Sequence, residues 1–245
     1  MTMKKIIYIL LIALCEWSCD SFLDVNPKAE VIDEDMFSTA SGVEDALYGV
    51  YSALSNGYLY GNYMSVYYPE LFAQNFVDDG IKGTEIGKLN MGDLMLESDV
   101  MKMWKQAYTT IGYVNNIIIN LEKKDENAFK HYNIYLGEAL GLRAYLHFDL
   151  LRYYAVHITS KDEAAKARAI PYVTTYEFYV TPFSSVTDVY DKIIQDLERA
   201  ITLLVDDKSL MEAERTGHAV DFVSARETHF NLYAAEATLA RVYWM

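Results

Sequence analysis

Five tyrosines, Tyr58, Tyr60, Tyr63, Tyr67 and Tyr68, crowd one short stretch, with Asn62, Asn75, Asp78 and Asp79 among or just after them. A tyrosine ring offers an apolar face and a polar tip, so such a cluster can stack on sugar rings while Asn and Asp side chains hydrogen-bond the hydroxyls. The competing reading is that the rings pack between helices, where aromatic side chains usually go. Asp78 and Asp79 invite comparison with the paired carboxylates of a glycosidase. Neighbours on a chain rarely face one substrate, however, so a solvated turn or a cation site fits them better. The histidines, His131, His147, His157, His218 and His229, show no converging ligand spacing, and His147 reads as part of a helix packing around Phe148. There is no G-x-S-x-G, P-loop or H-E-x-x-H, so the residues name no catalytic group, no metal and no cofactor.

The elements that must hold these residues are helices. In Glu138 to Tyr154, Leu140, Ala144, Phe148 and Leu151 recur at steps of three and four, and Leu142, Leu146, Leu150 and Tyr153 fill the adjoining face. A helix apolar over so much of its circumference belongs inside a stack. Arg143 has no carboxylate three or four residues away, so its burial demands a partner from elsewhere. Asp149 lies one turn before Arg152.

Around this segment, Ser41-Gly42-Val43-Glu44 has capping-box spacing and predicts a helix from Gly42 to Leu54. Glycines break Asn56 to Asp99, where Tyr63 to Phe76 reads as helical and Ile81 to Ser98 as loop. A stripe from Trp104 to Leu121 precedes a turn at Lys123–Asn127, and the next helix starts near Tyr132. His157 to Pro182 is a long connection, and Pro171 rules out regular helix for Ile170. Ser185 to Asp188 resembles another cap, followed by an apolar stripe from Val186 to Leu204. Asp206 to Val220 reads as polar loop and Ala225 to Met245 as helix. The late helices form two pairs, Trp104–Tyr154 and Val186–Met245, the logic of tetratricopeptide-type stacking without its strict 34-residue pattern. The last helix runs to the final residue without a cap, which reads as an incomplete domain.

The chain has 245 residues, 52% hydrophobic, with a formal net charge of -14. That charge argues against nucleic acid, because neutralising phosphates takes clustered Lys and Arg. Lys4 and Lys5 precede the apolar run Ile6 to Leu14, as in a secretory signal too short to span a bilayer. Ser18-Cys19-Asp20 then resembles a bacterial lipoprotein processing site, which makes residues 1–18 a signal peptide, Cys19 the lipidated residue, 19–40 a tether and 41–245 the helical domain. Cys15, preceded by Leu14, fits less well, and the rest of the chain has no cysteine.

In order, the pieces Cys19 to Val25, Trp104 with Tyr108, Ile111 and Asn115, Gly137-Glu138-Ala139 through Arg143-Ala144-Tyr145, Phe148-Asp149-Leu150 and Arg152-Tyr153-Tyr154 resemble the N-terminal half of a SusD/RagB-family protein. Ile170-Pro171, Val189-Tyr190, Asp196-Leu197 and Ala240-Arg241-Val242-Tyr243 continue the match. The resemblance implies a mainly α fold, a SusD-like α-α superhelix of tetratricopeptide-like pairs with irregular loops. Within it Trp104, Glu138, Arg143, Asp149 and Arg152 are structural. It implies a lipid-anchored protein of the outer-membrane surface that captures oligosaccharides, or peptides, for a SusC-like TonB-dependent transporter, without catalysis. The stretch Asn56 to Val100 lacks tryptophan, unlike starch-binding members with a Trp stacking platform, which points away from starch. A second reading is a tetratricopeptide-like scaffold that grips a polypeptide. A third, a secreted glycoside hydrolase, lacks a placed acid pair.

Overall fold

The computed structural model describes residues 33–76, 80, 84–86, 88, 92–177, 179–212 and 222–245. The expected signal peptide, Cys19, the tether up to residue 32, and Asp78, Asp79 and His218 lie outside these residues. The chain divides into two units, 1–35 and 36–245. Of the first, the described residues open the short helix α1 (Asp33–Met36). The second unit is helical, with one isolated bridge, Arg168 to Ser185, and no strand among the described residues.

Its centre is the helix expected to be buried. After α2 (Ala40–Leu54), α3 (Tyr68–Phe72) and α4 (Leu94–Glu122) comes α5 (Tyr132–Tyr154), in which 18 of 23 residues are buried. It packs against α2, α4, α7 (Val186–Leu203) and α9 (Leu232–Trp244), with α9 also lying on α7. These are stacked helical pairs. Gly141 of α5 permits one close approach, because a Cβ there would come within 2.2 Å of the Phe230 ring.

Several boundaries differ from expectation. α2 is capped by Thr39, not Ser41: the extended Thr39 presents Oγ1 to the Gly42 N–H at 3.1 Å. α4 begins at Leu94, ten residues before Trp104, in a stretch expected to be loop. Asp93 caps it by accepting from the N–H groups of Met95 (2.9 Å) and Leu96 (3.2 Å). The apolar face runs on through Leu96 and Met103, but the buried Asp99 interrupts the pattern. The expected helix Tyr63–Phe76 is instead a π-helical turn, Tyr63–Tyr67, running into α3 and ending at Phe72. Pro69 lacks an N–H and its ring crowds the preceding turn, which accounts for the widening. Beyond it, Gln74 adopts a left-handed φ of 56°.

Among its described residues the 157–182 connection holds the one-turn helix α6 (Lys161–Ala164). The expected loop from Asp206 contains α8 (Asp207–Glu212), followed after residue 221 by a 3-10 turn, Phe222–Thr228. The last helix starts at Leu232 under an Asn231 cap, not at Ala225, whose φ of -123° is not helical. Two boundaries agree with the sequence: α5 starts at Tyr132, and Ser185 with Asp188 forms a reciprocal capping box at the head of α7.

Candidate functional site

The tyrosine-rich stretch is fastened down before it is exposed. A Cβ at Gly61 would lie 2.1 Å from the Ser55 carbonyl oxygen, so only glycine allows the chain to fold back there. Asn56 Oδ1 accepts from the Tyr58 N–H at 2.9 Å, closing the turn. Tyr60 then donates to Asp149 Oδ2 (2.8 Å), Tyr68 to Asp99 Oδ2 (3.0 Å), and Tyr153 of α5 to the Met64 carbonyl (3.0 Å). These hydroxyls bolt the segment to α4 and α5. Burial, reinforced by the Asp149 charge, pushes the Tyr60 phenol well above its ordinary value, and burial pushes Tyr153 up to about 12, so both stay protonated as donors.

The rings then form one cluster. Tyr58 meets Tyr63 edge-on at 5.3 Å, Tyr63 stacks on Tyr67 at 5.5 Å, and Tyr67 lies 6.5 Å from Phe76. Tyr58, Tyr60, Tyr63 and Tyr67 are half-buried, while Asn62, Phe72, Asn75 and Phe76 are exposed. Asn75 donates to Glu70 at 2.7 Å. Beside the cluster, Tyr68, Phe72, Leu96, Val100, Tyr153 and Tyr154 wall a cleft of about 330 Å³ with Glu97 at its side. An aromatic ridge with exposed edges, an adjacent apolar cleft and a few polar groups is chemistry suited to holding sugar rings.

Of the expected structural residues, Glu138, Arg143 and Asp149 are buried in polar networks, while Arg152 is exposed and Trp104 half-buried. Arg143 finds its distant partner in Asp196 of α7, through Nε (2.6 Å) and Nη2 (2.7 Å), and also donates to Asn115 (3.2 Å). Tyr172 adds a third donor to Asp196 at 2.6 Å. His147 is locked in one neutral tautomer: Nε2 accepts from the Val173 N–H (3.0 Å), which leaves Nδ1 to donate to the Arg143 carbonyl (2.9 Å). Burial, aided by the nearby Arg143 and Lys192 charges, lowers its pKa to about 3. Asn115 (3.0 Å to the Val173 carbonyl) and Tyr108 (2.8 Å to the Pro171 carbonyl) pin the same loop. Glu138 lies in a second network, with Arg226, with Tyr51 at 2.6 Å and with His229 at 3.1 Å; Arg226 also grips Asp207. Arg152 pairs with Asp149 at 2.8 Å, and Trp104 packs on Tyr108 and Tyr154.

Asp99, Asp207, Tyr51, Tyr172 and Arg226 carry no spacing that marks them in the sequence, and Asp196 stands there only as a piece of the family match. The available signal was an acid on an otherwise apolar helical face, as Asp196 is in α7. Among the described residues no group of three or more His, Cys, Asp or Glu is placed to hold a metal, and no helix is long and apolar enough to cross a membrane.

Comparison with known proteins agrees with this architecture. A SusD-like protein of Formosa agariphila is 29% identical over 186 residues, 75% of this chain but 34% of that one. The crystal structure of a SusD superfamily protein from Bacteroides fragilis matches with a TM-score of 0.60 at 25% identity, over 86% of this chain and 47% of that one. A SusD homolog from Bacteroides thetaiotaomicron also gives 0.60, at 21% identity, over 86% and 37%. The chain thus spans about a third of the curated relative's length and less than half of each structural neighbour. The family model for SusD-like proteins, described as starch-binding and associating with the outer membrane, matches residues 21–244. Nearly every described residue lies in that match and the helical stack agrees with it: the chain belongs to the SusD-like family.

Proposed function

We propose that this protein binds glycan at the bacterial outer-membrane surface and hands it to a SusC-like TonB-dependent transporter, anchored by acyl chains on Cys19. The observation that carries the reading is the aromatic ridge from Tyr58 to Phe76, held rigid from below by Tyr60, Tyr68 and Tyr153 and open above. Family membership supports the glycan and the membrane. Oligosaccharide is favoured over peptide because stacked rings suit the apolar faces of sugars. The lack of tryptophan from Asn56 to Val100 directs the reading to a glycan other than starch. Its role is capture rather than bond cleavage.

Affinity electrophoresis of the purified protein against a panel of neutral and acidic polysaccharides tests this. Retention by at least one polymer is expected, weakened about tenfold in Tyr63→Ala and Tyr67→Ala, the effect of removing roughly 1–2 kcal/mol of ring contact. Retention by none, together with pull-down of a barrel transporter, would leave only the protein-interaction scaffold.

A further inference from the structure

A second concave surface lies along α4. Two ammonium groups, Lys102 and Lys105, and two aromatic rings, Trp104 and Tyr108, line an open groove of about 730 Å³, with Met101 and two hydroxyl side chains between them. No carboxylate lines it among the described residues. Lys102 leans 3.8 Å from the buried Asp99 and lies 5.4 Å over the Tyr58 ring, so the groove joins the aromatic ridge. Next to the lining ring of Trp104, Phe183 stacks at 6.4 Å, and the Arg168 guanidinium lies 3.7 Å over Phe183. Lys105 and Arg168 are exposed, and neither forms an ion pair among the described residues.

The chain carries a net charge of -14, so its overall field repels anions, and a groove lined by two ammonium groups and no carboxylate among the described residues is not a by-product of general basicity. A guanidinium over a ring face does not use its N–H donors on the ring, which leaves them available for an oxyanion. We propose that this groove takes the acidic units of an anionic polysaccharide, with Lys105 and Arg168 binding carboxylate or sulfate groups, Lys102 assisting, and Trp104 and Tyr108 stacking on the rings between. This rests on the glycan reading above and adds the charge class of the ligand.

The test is affinity electrophoresis and titration calorimetry with polygalacturonate, dextran sulfate, uncharged dextran and amylose. Retention by polygalacturonate or dextran sulfate is expected, weakening with added salt. In the double variant Lys105→Glu/Arg168→Glu binding should fall about tenfold or more, as expected for lost charge-assisted hydrogen bonds. Lys130→Glu, an exposed charge change in the α4–α5 turn, should match the parent. Binding to polygalacturonate alone assigns the site to uronate, and to dextran sulfate alone to sulfate ester. If charge reversal disturbs the melting curve, Lys105→Ala/Arg168→Ala carries the comparison. Retention by neutral polymers only, or acidic binding unmoved by the double variant, overturns the proposal and leaves the glycan reading standing; retention by nothing removes both.

Discussion

Tyrosine hydroxyls donate repeatedly to carboxylates: Tyr51 to Glu138, Tyr60 to Asp149, Tyr68 to Asp99, Tyr135 to Glu44 and Tyr172 to Asp196. A buried carboxylate must be supplied with donors, and tyrosine brings one on a rigid ring that also fills space. Much of the chain's tyrosine content therefore serves the interior. Histidine is used differently. His147 is neutral, with a pKa of about 3 in the folded state against an ordinary value near 6.5. Above pH 6.5 both folded and unfolded forms are neutral there, and His147 contributes no pH dependence. As pH falls from 6.5 towards 3 the unfolded chain takes up a proton that the folded chain refuses, so stability declines by up to about 1.4 kcal/mol per pH unit. Urea unfolding at pH 7 and pH 5 should show a loss of about 2 kcal/mol from this residue. His147→Gln should reduce the difference between the two pH values by that amount, while lowering stability at pH 7 through the disturbed Val173 contact.

Between elements, the Arg143–Asp196 pair ties α5 to α7, and both side chains are about a tenth exposed. Truncating one partner strands a buried charge. Arg143→Met should cost about 3–5 kcal/mol in chemical denaturation, and Arg143→Met/Asp196→Leu should recover a large part of that, since an apolar pair is better tolerated than a lone buried ion. Glycine acts at the same scale. Gly141 lets Phe230 reach α5, and its place on the helix face gives no hint of this until Phe230 is located. Two acidic residues near shifted boundaries answer partners on other elements. Asp99 closes the stretch that reads as irregular, and its partner, Tyr68, lies on another element. Asp207 looked like loop because its partners are the Arg226 guanidinium and the Leu232 N–H. Ser185 with Asp188 was legible because donor and acceptor lie within one turn.

At the scale of the whole molecule, the aromatic ridge and the α4 groove meet through Lys102 over Tyr58, so neutral stacking and anion recognition adjoin. Under the proposed function, acyl chains on Cys19 would present such a surface. Cys19→Ala should abolish palmitate incorporation and move the protein from the membrane to the soluble fraction, since several acyl chains at roughly 0.8 kcal/mol per buried CH₂ are what would hold it there; unchanged labelling would exclude that cysteine. The sequence by itself determined the helical class, the buried central helix, its start at Tyr132, the need of Arg143 for a distant partner, and family resemblance, because periodicity and local capping are written within a few residues of one another. Only the tertiary structure decided which carboxylate answers Arg143, that Tyr60 and Tyr68 face inward while Tyr58, Tyr63 and Tyr67 keep exposed edges, and that Lys102, Lys105, Trp104 and Tyr108 line one groove. Those pairings join groups separated by tens of residues, where hydrogen bonding and burial act across space and leave no fixed spacing along the chain.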